Sequence, residues 1–137
     1  MANYKISEIE GIGPAYAEKI NKAGIKTVNA LLKKGNSRSG RKEISKASGI
    51  DESLILKWVN MADLFRVRGI GSEYSELLEA AGVDTVKELR NRNAENLHAK
   101  MAEVNAKGRG LVRLLPGLSQ VQSWVNEAKK LDPMVTY

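Results

Sequence analysis

The sequence contains no cysteine, a single histidine and only 5% aromatic residues. The lack of cysteine excludes disulfide bonds and a thiolate metal site. No run of about 18 apolar residues occurs, so we expect no transmembrane helix and no membrane partner. The first residues also lack the apolar core of a signal peptide. We therefore expect a cytoplasmic protein.

Residues that could support catalysis are sparse. His98 has no partner that the sequence indicates, and the carboxylates are scattered rather than grouped. A hydrolase that uses metal ions would need clustered acids. No G-x-x-x-x-G-K-[ST] segment for nucleotide phosphates is present. We expect no enzymatic activity, no cofactor and no metal site.

The clearest positive feature is an internal repeat. Residues 9–32 and 67–90 align at an offset of 58, which predicts a duplicated unit. The identical pairs are Gly11/Gly69, Ile12/Ile70, Gly13/Gly71, Tyr16/Tyr74, Glu18/Glu76, Ala23/Ala81, Gly24/Gly82, Thr27/Thr85, Val28/Val86 and Leu31/Leu89.

Each copy has the signals of a glycine turn followed by two helices. Pro14 suits the first turn of a helix over 14–23, which ends at Gly24, a residue suited to a left-handed C-cap. Thr27 is then expected to N-cap a helix over 27–34. In the second copy the corresponding residues are Ser72 as a possible N-cap, Gly82 and Thr85.

Further helices follow from apolar residues at helical spacing. They are predicted over 41–47, near 94–105 and over 118–131, with a loop before the first of these. The predicted fold is all-α, with two tandem units of four to five short helices packed together. The units are residues 1–65 and 66–137.

The glycine turn, its helix and the following A-G-[IV]-x-T-V-x-x-L resemble the helix-hairpin-helix motif. The A-G-[IV]-x-T-V part is similar to the small N-terminal helical domain of RecA-type recombinases. Over nearly its whole length the chain resembles a prokaryotic family of tandem helix-hairpin-helix proteins known mainly as a domain of unknown function. The resemblance implies the fold, together with either DNA binding through phosphates or a structural or protein-contacting role.

The first glycine turn is the candidate phosphate site. Amides at a helix N-terminus can receive phosphate oxygens, and lysines follow on the same helix. The second copy carries Glu73, Glu76 and Glu79 instead, so we interpret it as structural or protein-contacting. In the alternative interpretation, both glycine turns only let two helices meet closely. The candidate residues are Gly11, Ile12, Gly13, Ala15, Lys19 and Lys22.

A basic segment follows, and we expect it to form a loop that tracks a nucleic-acid backbone. Six cations against the single acid Glu43 give it a charge of 6 − 1 = +5, close to the +6 of the whole chain. The alternative is a solvated loop. The cations are Lys33, Lys34, Arg38, Arg41, Lys42 and Lys46, and a second cluster is Lys107, Arg109 and Arg113.

The larger aromatic residues occupy matching places in the two copies. Tyr16, Tyr74, Trp58 and Trp124 lie on apolar helix faces, which favours core packing over base stacking. The basic segment contains no aromatic residue, which argues against single-strand binding on stacking platforms.

These features predict a non-enzymatic, monomeric protein that binds nucleic acid without sequence specificity, with DNA preferred to RNA. The alternative is a protein-interaction adaptor that contacts an unidentified protein through the acidic face of the second copy and Leu77. Binding to phosphates should weaken steeply with ionic strength, whereas an apolar protein contact should not.

Overall fold

The structure is a computed structural model that describes residues 4–107 and 112–137. Within these ranges it contains no strand, only an isolated bridge between Lys5 and Thr27. The prediction of an all-α fold is confirmed. A 3-10 helix, Ile6–Glu8, precedes the α-helices, which are α1 (Pro14–Lys22), α2 (Val28–Gly35), α3 (Arg38–Ser48), α4 (Glu52–Leu64), α5 (Ser72–Ala80), α6 (Val86–Leu89), α7 (Ala94–Lys107) and α8 (Leu118–Ala128).

The chain forms two compact units. Unit 1 comprises Met1–Asp63 together with Met134–Tyr137, and unit 2 is Leu64–Pro133. The structure therefore divides the chain just before the point that the repeat indicates, and residues 134–137 belong to unit 1. Each unit has its own core. Ile20, Leu31, Ile44 and Ile55 are fully buried in unit 1, and Leu77, Leu97, Met101 and Val125 are buried in unit 2.

The predicted ends of the first helices in each unit are confirmed. Gly24 and Gly82 have φ of +88° and +93°, the left-handed conformation that glycine adopts without strain. Thr27 Oγ1 accepts a hydrogen bond from Ala30 N–H at 3.1 Å, and Thr85 caps α6 in the same way. Ser72 is not an N-cap, because α5 begins at this residue and Gly71 occupies the cap position.

The region predicted as a loop before residue 41 is largely helical. Ser37 Oγ accepts a hydrogen bond from Gly40 N–H at 3.1 Å, so α3 begins at Arg38. A Cβ atom on Gly40 would overlap the carbonyl oxygen of Lys34. Position 40 therefore requires a residue without a side chain, because α3 passes close to the end of α2 there. The predicted helices over 27–34 and 41–47 are confirmed, and the loop between them is shorter than expected. Arg38 lies on α3 with Lys42 and Lys46, so the basic segment is not one continuous loop.

The helices of unit 2 differ from prediction mainly at their ends. α7 runs from Ala94 to Lys107, slightly longer than expected, and α8 ends at Ala128, short of the predicted residue 131. Near the C-terminal end of α7, the side chain of Asn105 makes two hydrogen bonds to the backbone of Val112. It accepts from Val112 N–H at 3.1 Å and donates to Val112 O at 3.3 Å.

Candidate functional site

The middle residue of the first glycine turn, Ile12, is buried. Ile12 is 4% exposed, and its N–H donates to Ile9 O at 3.1 Å. Gly11 has a φ of +92°, and a Cβ atom there would lie 3.6 Å from Nε1 of Trp58. Gly13 is exposed and caps α1 with its backbone only. The turn thus combines a buried isoleucine with two solvent-facing glycines.

The N-terminus of α1 offers unused backbone donors. Pro14 has no N–H, and in the described part of the chain the N–H groups of Ala15 and Tyr16 have no acceptor. Ala15 and its neighbours are exposed. The helix dipole adds partial positive charge at the same place. The geometry is compatible with an anion at this turn.

The two lysines of α1 are exposed but not equivalent. Lys19 Nζ lies 5.9 Å from the ring centroid of Tyr16, a distance at which a cation is attracted to an aromatic face. Lys22 Nζ lies 3.4 Å from Oε1 of Glu18, with both side chains mostly in solvent. Such a surface pair is weak. Lys22 is therefore weakly paired, whereas Lys19 has no carboxylate partner among the described residues.

A basic stripe runs along α3. Arg38, Lys42 and Lys46 are exposed and recur every four residues, so they share one side of the helix over about 12 Å. We call these three residues the α3 stripe. Because α1 and α3 pack against each other, the stripe and the first turn belong to the same unit. Lys33 and Lys34 are exposed in the last turn of α2.

Arg41 does not belong to this surface, contrary to the prediction. Its side chain is on the buried side of α3, and the residue is 4% exposed. Nη1 donates to Gly35 O at 2.9 Å and Nη2 donates to Thr136 O at 2.6 Å. Burial lowers the pKa of the guanidinium from its ordinary value, but an arginine stays protonated in water. Arg41 is a structural cation that ties α2, α3 and residues 134–137 together.

The tryptophans behave as predicted and one tyrosine does not. Trp58 and Trp124 are 2% and 1% exposed. The rings of Tyr16 and Trp58 lie 5.1 Å apart, and those of Tyr74 and Trp124 lie 5.2 Å apart. Tyr16 is nevertheless 36% exposed at the edge of the core. Its ring is therefore accessible beside the first turn, although the sequence indicated core packing.

The second glycine turn has a similar backbone and a different surface. Gly69 has a φ of +92°, and a Cβ atom there would lie 3.1 Å from Nε1 of Trp124. Glu73 is exposed at the start of α5, and Glu76 and Glu79 are half-buried. Leu77, which the adaptor hypothesis placed at a protein contact, is completely buried. That part of the adaptor hypothesis is wrong, because Leu77 belongs to the core of unit 2.

The second basic cluster is divided. Lys107 donates to Glu103 at 2.8 Å, and this bond lowers the pKa of the Glu103 carboxyl and raises that of Lys107. Arg113 is exposed, and Arg109 lies outside the described residues. Of the two described cations in this cluster, Lys107 is paired with Glu103 and Arg113 has no ion pair among the described residues.

Other polar residues have structural partners. The ring Nε2 of His98 lies 2.9 Å from Pro116 O; a carbonyl only accepts, so this nitrogen carries the proton. In residues 4–107 and 112–137 no group of three or more His, Asp or Glu side chains is arranged to hold a metal ion. In the same residues, no helix combines the length and apolar character needed to cross a bilayer.

The geometry defines an all-helical protein with a glycine turn and a cationic helix face in unit 1. Residues 10–131 match the family described as "Domain of unknown function (DUF4332)", and the chain belongs to that family. No curated protein and no solved structure matches it significantly.

Proposed function

We propose that the protein is a tandem helix-hairpin-helix protein that binds nucleic acid, preferably DNA, without sequence specificity and without catalysing a reaction. The contacts would come from the backbone of the first glycine turn, from Lys19 and Lys22, from the α3 stripe, and from Lys33 and Lys34. The observation that carries the proposal is the α3 stripe.

The stripe suits a phosphate backbone for electrostatic reasons. Its three cations project from a regular helix, and no carboxylate of the described residues lies within salt-bridge distance of them. The exposed acid Glu43 is the sole acidic residue of α3. Each phosphate that such a cation neutralises releases a counterion, which gives affinity without base recognition.

Unit 1 contributes donors of a second kind. The free N–H groups at the start of α1 can bond a phosphate oxygen directly, and the glycines let the polymer approach the backbone closely. In both units the first glycine of the turn lies close to the Nε1 atom of a tryptophan. This shared arrangement supports the proposal that the two units arose by duplication. Because the first turn of α5 carries an acidic residue, we expect only the first glycine turn to bind phosphate.

The experiment is a fluorescence-anisotropy titration with a labelled random-sequence DNA duplex and a matching RNA, at low and at near-physiological salt. We expect micromolar binding that weakens with salt, with DNA bound more tightly. Replacing Arg38 and Lys42 with Gln should reduce the slope of log affinity against log salt by about 1.8, which is twice the contribution of one phosphate contact to duplex DNA.

A matched control is available in unit 2. Lys87 and Lys100 are exposed lysines on α6 and α7, and the variant with both changed to Gln has the same net charge as the α3 variant. It should keep the parental slope. Equal losses in the two variants would show that only net charge matters, and would refute the assignment of the stripe.

The adaptor hypothesis remains as the second proposal, in a reduced form. With Leu77 in the core, the acidic surface that remains is Glu73 with the half-buried Glu76 and Glu79. Replacing Glu73 with Gln should leave nucleic-acid binding unchanged or slightly tighter, and should weaken a protein complex if that surface forms one. Binding to neither polymer at low salt would favour the adaptor.

A further inference from the structure

Unit 2 has an open groove whose main wall is the outer side of α8. Four neutral polar residues line this wall at positions i, i+3, i+4 and i+7, which is one helix face: Ser119, Gln122, Ser123 and Asn126. All four are exposed. Arg68, Glu127 and Lys130 complete the lining.

These four residues give the wall hydroxyl and amide groups and no charge. Solvent-facing helix surfaces carry charged or polar residues, and charged residues make up 28% of the chain. The exposed wall instead presents hydroxyl and amide groups, which bond phosphate and sugar oxygens. The two serines are short, so a polymer backbone can approach the helix closely between the longer amides.

The side-chain amides of Gln122 and Asn126 bond each other and leave one NH₂ group unused. Gln122 Nε2 donates to Asn126 Oδ1 at 3.0 Å. This bond uses the carbonyl oxygen of Asn126 and leaves its NH₂ group without an acceptor among the described residues. The groove therefore offers a neutral donor between its charged ends.

Two cations flank this wall, and the single acid is already engaged. Arg68 and Lys130 have no carboxylate within salt-bridge distance in the part of the chain that the structure describes. The carboxylate of Glu127 accepts the backbone N–H of Arg68, with both oxygens at 3.2 Å. The charge of the groove is thus 2 − 1 = +1, with the negative charge held against the chain beside the second turn.

We propose that this groove is a second contact surface for the sugar-phosphate backbone of nucleic acid. Arg68 and Lys130 would pair with phosphates, and the serine and amide side chains between them would donate to phosphate and sugar oxygens. The proposal rests on the proposed function and extends it, because it gives unit 2 a contact of its own through α8 while its acidic turn stays uninvolved.

The test uses the full chain and the same labelled duplex. Replacing Arg68 and Lys130 with Gln should lower the salt slope by about 1.8. Replacing Ser123 with Tyr fills the groove without changing charge and should weaken binding roughly tenfold, the effect of losing hydrogen bonds that the groove supplies. The variant with Lys87 and Lys100 changed to Gln serves as the charge control. Circular dichroism verifies that each variant keeps its helix content.

The outcomes separate this proposal from the one before it. If the parent binds and both groove variants behave like the charge control, the groove is not a contact surface, while the α3 stripe stands on its own variants. If the parent does not bind either polymer at low salt, both proposals fail. A lower salt slope together with weaker binding of the Ser123→Tyr variant would support the groove.

Discussion

Arg41 gives the sharpest test of the structure, because its sequence context and its position imply opposite roles. A phosphate-binding arginine can be replaced at little cost to stability, whereas a buried arginine that bonds two carbonyls cannot. The substitution to examine is Arg41→Met, which keeps an unbranched side chain and removes every donor.

The expected loss follows from the two bonds. A hydrogen bond from a charged donor contributes about 1.5–3 kcal/mol. The acceptor on Gly35 is buried and would be left without its donor, while Thr136 is exposed and its carbonyl can be hydrated again. Removing the desolvation cost of a buried charge offsets part of the loss. We therefore expect a destabilisation of about 2 kcal/mol, and a melting temperature lower by roughly 8 °C for a chain of this length.

The assay is urea unfolding followed by far-ultraviolet circular dichroism. The control is Lys42→Met, which changes the next residue on the exposed side of α3 and should alter stability by less than about 0.5 kcal/mol. Arg41→Met should also retain the salt slope for duplex binding. If Arg41→Met is as stable as Lys42→Met, or loses salt dependence as the stripe variant does, then Arg41 faces the solvent and the reasoning is wrong.

Two further predictions concern local geometry. Gly40→Ala should destabilise the protein by about 3 kcal/mol or more, because its methyl group would overlap the carbonyl of Lys34. The control is Gly13→Ala, where nothing lies within 4 Å of the added methyl group. It should change the unfolding free energy by less than about 0.5 kcal/mol in the same urea titration. Thr27→Ala should cost about 1 kcal/mol by removing the cap on Ala30 N–H, and Thr27→Ser should restore most of it, as measured by thermal unfolding; equal melting temperatures for the two variants would contradict the cap.

Local signals predicted much of the fold. Gly24 and Gly82 end their helices as expected, because a left-handed C-cap is readable from a single residue. Thr27 and Thr85 begin the next helices for the same kind of reason. These features depend on neighbours within a few positions, which is the range over which sequence patterns are informative.

Three of the errors depend on tertiary contacts. Gly40 suggested a loop, but it lets α3 begin against Lys34. Arg41 joined the candidate site as one cation of six, and its partner on Thr136 is 95 residues away. Leu77 looked available on an acidic helix, yet the helix turns it into the core of unit 2. Packing between elements decides each case. The partner of Arg41 lies far along the chain, whereas Gly40 meets Lys34 in the preceding helix.

Of the six cations named from the sequence at residues 33–46, five are exposed and Arg41 is buried. The cations of residues 33–46 were identified, but the α3 stripe could be recognised only once Arg38, Lys42 and Lys46 were known to share one helix. The groove on α8 was missed. Its signal was the spacing of Ser119, Gln122, Ser123 and Asn126, which a search for charged residues passes over.

The position of residues 134–137 also has a consequence for biosynthesis. These residues complete unit 1, yet the ribosome makes them after the whole of Leu64–Pro133, a stretch of 133 − 64 + 1 = 70 residues. At about 5–20 residues per second, this stretch takes roughly 4 to 14 s. During that interval Arg41 can reach the carbonyl of Gly35 but not that of Thr136. The unit that begins first is thus finished only after its neighbour has been synthesised, so its early folding proceeds without one of its own parts.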